Sequence, residues 1–329
     1  MQTKSPSIPS KFLRGVALVC LCGTGVAHAQ EYPDKPIRML VPVLPGGAPD
    51  FGGRIVAERL STRLGQKVVV ENRAGAGGVI ALEVLKASPP NGYTIAATQL
   101  GPLTFTPLIQ DGLSYDPIRD FTHVSNMLTF PTLLVAHVSL PAKNVKELIA
   151  LARAHPGEVT YASSGVGGTG HISAELFNLM AKIKMQRIQF KSVGPSLISV
   201  LSGESQITYS NIAAALPHTQ SGRLRLLGVT SAKRVSTLPE VPTISEAGLP
   251  GYESSGGAGI IAPLNLPRPI LQRLNKEIVE ILNSKEVSDL MLQVGMLPAP
   301  TTPEEFTAYI RAELKKWAPV VKLANIKGE

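Results

Sequence analysis

The sequence predicts an α/β chain made of two units with a cleft between them. Three observations predict it. The first half alternates strand and helix in the order β-α-β-α-β, which argues a parallel sheet with right-handed crossovers. The same strand, glycine turn and helix pattern restarts at Val159. About 300 of the 329 residues remain after an N-terminal leader, about double the length of a typical domain.

The leader comes first in the chain. Lys4, Lys11 and Arg14 precede an apolar run, Gly15 to Val26, that is too short to span a bilayer. Ala27-His28-Ala29 then offers an A-x-A cleavage site, so residues 1–29 are expected to be a signal peptide and Gln30 the mature start. The expected location is the periplasm. Both cysteines, Cys20 and Cys22, fall within the leader, and the residues before them make a poor lipoprotein box. The mature chain is therefore free of disulfide and thiol chemistry and is stabilised by core burial. Losing three cations takes the formal charge from +8 to +5. Lys182, Lys184, Arg187 and Lys191 form the nearest thing to a basic patch and read as solvated edges, not a nucleic-acid surface. Trp317 is the one tryptophan, so no stacking platform is evident.

Ile37 to Val43 is rich in β-formers and reads as the first strand. Pro45-Gly46-Gly47 ends it, and Asp50 stands where an N-cap would open a helix to Leu64, closed by Gly65. A strand feeding a glycine loop and a helix start offers unpaired N–H groups and the positive end of a helix dipole; this stretch alone fits equally a place for a carboxylate or phosphate and a tight βα turn with no ligand. Asp50 and Arg54, four apart, are expected to pair locally. Lys67 to Glu71 is the second strand, Asn72 to Gly78 a second glycine turn, Ile80 to Ala87 a helix and Tyr93 to Thr98 the third strand. Thr104 to Asp120 is irregular and proline-interrupted. Two apolar runs flank Pro131, between Thr122 and Val138, and read as a strand leaving one sheet and another entering a second. Val145 to Ala154 is a helix. In the second unit, Val159 to Ala162 is a strand, Ser163 to Gly170 a glycine turn and His171 to Ile183 a helix. Strands at 187–190, 206–210 and 224–230 alternate with helices at 195–201 and 213–220. Gly259 to Pro263 is a strand that can return to the first sheet, ahead of helices at 269–283 and 303–323. The expected domains are 30–130 plus 254–329, and 131–253. The cleft between them is the natural ligand site.

Gly165 to Gly170 matches G-x-G-x-x-G, but it lies in the second unit, and Gln189, Phe190 and Lys191 stand where the ribose-binding acid belongs. An anion site built from Ser163, Ser164, Thr169 and the loop's backbone suits the residues better. No G-x-S-x-G elbow, H-E-x-x-H or Walker loop occurs, and no metal or cofactor is expected. A Ser164/His171 hydrolase is the enzymatic alternative, though no acid partner is apparent.

Several stretches resemble the Bug receptors, the extracytoplasmic substrate-binding proteins of tripartite tricarboxylate transporters. They are Tyr32-Pro33-Asp34-Lys35-Pro36-Ile37-Arg38, Pro45-Gly46-Gly47-x-x-Asp50-x-x-x-Arg54, Val70 to Gly78, and Asn91-Gly92-Tyr93-Thr94. Tyr161 to Gly165 with His171 and Glu175-Leu176-Phe177 continues the match, as do Leu216-Pro217, Gly222-Arg223-Leu224 and Leu238 to Gly248. The resemblance implies a two-domain periplasmic binding protein, type II-like, that closes on a small carboxylate and is not an enzyme. It places the carboxylate on backbone amides and hydroxyls of Leu44, Pro45, Gly46, Gly47 and Ala48, beside Asp50, and of Ser163, Ser164, Gly165 and Thr169. Thr98, Gln99 and Asn211 are expected to line the cleft. Many relatives carry Asp where this chain has Ser210-Asn211, which disfavours amino-acid ligands, and Lys191-Ser192 replaces their Lys/Arg-Gly. Asn91 replaces the common Asp of a turn. The implied partners are the subunits of a membrane permease and one small ligand, a tricarboxylate, a dicarboxylate, an aromatic acid or a neutral amide; a monomer is expected because a cleft that opens and closes needs no partner subunit. A sensor reporting the same ligand to a signalling partner would have the same sequence features.

Overall fold

A computed structural model describes residues 1–3, 32–164, 168–190 and 193–327. Residues 4–29 of the expected leader with both cysteines, Gly165, Lys191-Ser192 and the Ser164 side chain lie outside the described residues. Of the segment Met1–Glu31 only the first three residues are described, and they carry no regular structure; Tyr32–Glu329 is a separate unit.

The first strands are β1 (Ile37–Val41), β2 (Val68–Asn72) and β3 (Thr94–Gln99), with β1 pairing in parallel with both others. Between them run α1 (Ala48–Leu64), one 3₁₀ turn (Ala76–Gly78) and α2 (Val79–Lys86). Gly65 closes α1 at φ +68, a left-handed conformation that only glycine adopts without steric cost. Two single turns follow, α3 (Gly101–Thr104) and α4 (Thr106–Ile109). The chain then crosses the molecule in one strand, β4 (Phe121–His137). Past it lie α5 (Val145–Ala154), β5 (Thr160–Ser164), α6 (Thr169–Ala181), β6 (Gln186–Phe190), α7 (Val193–Leu201), β7 (Ile207–Asn211), α8 (Ile212–Gln220) and β8 (Leu224–Val229). A short α9 (Ile244–Ala247), held by a Thr243/Glu246 capping box, leads to the returning strand β9 (Ser255–Pro263). The chain ends with α10 (Arg268–Leu282), α11 (Lys285–Gln293), β10 (Leu297–Pro298) and α12 (Pro303–Leu323).

The strand order shows one plan used twice. On one side it is β2-β1-β3-β9-β4 and on the other β6-β5-β7-β4-β8. In each half a βαβαβ run supplies three parallel strands, and an antiparallel strand from elsewhere in the chain separates them from the outer one. β4 belongs to both halves. Phe121 to Pro131 pair with β9, and Thr132 to His137 pair with β7 and β8. Helices cover both faces of both halves. Leu60, Leu274, Ile278 and Met291 pack on one face of the first half, and Leu82, Leu85, Phe306 and Ile310 on the other. Leu148, Phe177, Trp317 and Val320 cover one face of the second half, and Leu197, Val200 and Ala215 the other. The expected α/β, type II-like, two-lobed fold is the fold observed.

Three expectations are corrected. The two runs around Pro131 are one strand; the proline interrupts nothing because Pro131 takes the place where β4 changes partners. α1 is capped by Gly47, not Asp50, because Ala48 and Pro49 fill its first turn. α11 was not expected; Ser284 caps it, its side chain accepting the Val287 N–H, and Val287 and Met291 bury its apolar face.

Candidate functional site

The first loop is braced from below. Gly46 sits at φ +91, and a side-chain carbon at Gly47 would lie 2.9 Å from Val43 Cγ2, so the turn requires its glycines. Asp50, the third residue of α1, is buried. It accepts the Gly46 N–H at 2.9 Å, Arg54 Nε at 3.0 Å and Asn72 Nδ2 at 2.8 Å. Burial pushes its carboxyl up, but these bonds outweigh burial and hold it below the usual carboxylate range. Asn72 also donates to Val43 O at 3.0 Å, so the second glycine signature holds the first loop in place. The Gly46 N–H is thus committed inside the protein. The N–H of Ala48, at the first helical position, has no acceptor within its own helix.

Arg187 ties together the two elements that flank the second loop. Its Nε donates to Ser163 Oγ at 3.1 Å and its Nη1 to His171 Nε2 at 3.2 Å. Burial, reinforced by the guanidinium, pushes the His171 imidazole down to about 4. His171 is accordingly neutral at pH 7, a weak base whose Nε2 lone pair faces a cation. That disfavours a general-base role for it.

The first loop, through Gly46 and Gly47, and the described end of the second, Thr169 and Gly170, line one cavity of about 350 Å³. Four helix starts meet there: Gly47 and Ala48 of α1, Thr169 and Gly170 of α6, Val193 of α7, and Asn211 with Ile212 and Ala213 of α8. Helix starts of this kind favour negative charge through their first-turn N–H groups and dipoles, and no charged side chain is among the cavity's described lining residues. A second cavity of about 220 Å³ adjoins it and shares Gln99, Phe130 and Thr169. Among the described residues no cluster of metal-ligating side chains occurs, and no helix is long and apolar enough to cross a membrane.

The sequence-derived candidates therefore divide. Gly46, Gly47, Ala48, Gln99, Thr169 and Asn211 line the cavity. Leu44 and Pro45 are exposed outside it, while Asp50, Thr98 and Ser163 are buried behind it. Residues of the other walls were not anticipated, chiefly Phe130, Ile212 and the loop Val294 to Met296. That loop packs on α8, where a side-chain carbon at Gly295 would sit 3.3 Å from Ile212 Cβ.

Residues 53–326 match the family described as the tripartite tricarboxylate transporter family receptor. BugT of Bordetella pertussis is 35% identical over 319 residues, covering 96% of this chain and 98% of its own. Among solved structures, R. palustris Rpa4515 with adipate is 34% identical, with a TM-score of 0.76 over 90% of this chain and 99% of that one. MatC from Rhodopseudomonas palustris with bound malate is 28% identical, with a TM-score of 0.72 over 88% of this chain and 100% of that one.

Proposed function

The chain belongs to the tripartite tricarboxylate transporter receptor family, and from that premise we propose that it is a periplasmic receptor that captures a small carboxylate between its lobes and delivers it to a tripartite membrane transporter. One observation carries the reading: four helix starts converge on a single cavity that no acidic side chain among the described residues lines. The carboxylate sits at the N–H groups of Ala48, Thr169 and Gly170, with the hydroxyl of Thr169 and the amides of Gln99 and Asn211 selecting the rest of the ligand. Work of this kind is a population shift between open and closed forms, with no bond made or broken. Relatives bound to adipate and malate support a carboxylate ligand. The lobes are 30–130 plus 254–329 and 131–253, a division supported by the change of β4 partners between Pro131 and Thr132. Residues 1–29 serve as a cleaved signal peptide, and the receptor acts as a monomer.

A thermal-shift screen against mono-, di- and tricarboxylates, aromatic acids and their amides tests this. A ligand at about 100 times its Kd adds about 2.7 kcal/mol of stability and a clear rise in Tm. Acids are expected to shift the protein and their amides not. If no acid shifts it and a library member is consumed, a hydrolase replaces the receptor. Mass spectrometry of the secreted protein is expected to show Gln30 at its start.

A further inference from the structure

Resting on the receptor reading above, we propose that a groove on the second lobe, between the last turns of α6 and α12, is where the membrane transporter docks, through an acidic segment that carries an apolar side chain. α12 starts in the first-lobe core with Phe306 and Ile310 and then packs Trp317, Val320 and Val321 on the second lobe. The groove it forms there with α6 has a volume of about 560 Å³. Leu179, Ile183 and Ala324 line it half-buried, and Leu323 at its edge is 69% exposed. Its rim is basic. Of the cations that cluster in the sequence, Arg187 turns inward to Ser163 and His171, whereas Lys182 and Lys184 stay exposed on the groove. A cavity of about 300 Å³ adjoins through Lys182 and adds Lys146 and Arg153. Among the described residues none of these four cations is in an ion pair. Glu175, the one acid in the groove's described lining, accepts the Tyr161 hydroxyl. Helix dipoles do not account for the set. Arg153 Nη2 does donate to Ala181 O at 2.9 Å at the end of α6, but Lys146 stands in the first turn of α5, where a cation is unfavourable. Lys182 carries an independent sign. It closes α6 at φ +53 and is the one charged residue with a left-handed backbone among the described residues. Glycine fills the same place at the end of α1 without steric cost, so a lysine here serves through its side chain at the expense of stability. Unpaired positive charge calls for an acidic partner, and a concave apolar floor calls for a protruding side chain, which a flat lipid surface does not offer.

Uptake into right-side-out membrane vesicles tests this. The vesicles come from source cells deleted for this receptor, purified receptor is added back, and the labelled probe is the acid that gives the largest thermal shift. Lys182→Glu, Lys184→Glu and Leu323→Asp are each expected to lower uptake at limiting receptor about tenfold while leaving the Kd for the acid unchanged. Lys182→Gly is expected to raise Tm by about 1–3 °C and still to lower uptake, which separates docking from folding. Lys233→Glu, an exposed cation elsewhere on the same lobe, is expected to change nothing. Full uptake with the three groove variants, or an equal loss with Lys233→Glu, overturns the proposal while leaving the receptor reading standing. So does binding of the wild-type protein to protein-free phosphatidylglycerol vesicles that the same substitutions abolish, which assigns the groove to lipid. A dimer in sedimentation that Lys182→Glu dissociates assigns it to a second copy and likewise overturns the proposal. If no acid shifts the protein, or the wild type drives no uptake, the receptor reading falls and the docking site falls with it.

Discussion

Asp50 shows how a residue of a loop motif can lie behind the cavity that the loop lines. Its carboxylate gathers Gly46, Arg54 and Asn72 beneath the first loop. Asp50→Ala leaves those donors without their acceptor in a buried place and is expected to cost about 1–3 kcal/mol, read from the denaturation midpoint. Ligand affinity should fall with it, since the loop loses its brace. Asp50→Asn keeps the shape and is expected to cost less. His171 carries a pH signature. In the unfolded chain it takes a proton near 6.5, whereas in the fold it resists protonation until about 4. Protonation therefore favours unfolding in that window, and stability is lost as pH falls from about 6.5 towards 4, with no effect above. His123, buried and likewise pushed down, adds to the trend. His171→Gln is expected to flatten part of the fall in Tm between pH 7 and pH 5. At this scale the sequence was half legible. Glycines and hydroxyls in turns announce themselves because few other residues serve there. Phe130, Ile212 and Met296 did not, because an apolar residue on a strand or helix gives the same signal whether it faces a core or a cleft.

Among the elements, β9 is the one whose composition is most constrained by its neighbours. It lies between β3 and β4, and three of its residues are glycines pressed against side chains. A carbon at Gly259 would come 2.2 Å from Cζ of Phe306, which is fully buried in the first-lobe core. A carbon at Gly256 would come 1.9 Å from Cε2 of Phe130, whose ring borders the cleft and has somewhere to go. Gly259→Ala is thus expected to cost about 1–3 kcal/mol, seen as a lowered Tm. Gly256→Ala is expected to cost less stability but to push Phe130 into the cavity and weaken ligand binding. Strands and helices punctuated by glycine and proline were readable from the chain alone. α11 was not, as its nine residues follow α10 after two and its pattern merges with the turn. The two-residue β10 exists only because β4 offers it an edge, which no local pattern encodes.

For the whole molecule, the twice-used strand plan explains how one chain brings two strand-to-helix junctions, at Gly46 to Ala48 and at Thr169-Gly170, to one cavity. Each βαβαβ run ends its first strand in a glycine turn at the carboxyl edge, and the shared strand β4 sets the two edges against each other. The architecture was legible because the pattern restarts; the pairing of β9 was legible only as a strand that could return. Its position has a consequence for biogenesis. β9 fills the gap between β3 and β4, yet it follows β3 by more than 150 residues. Until Ser255 to Pro263 have left the ribosome, β3 and β4 keep open edges and the first half of the sheet cannot be completed. A chain exported by the signal peptide proposed above gains from that delay: the strand that joins β3 to β4 is withheld until late in synthesis, so topology itself postpones folding.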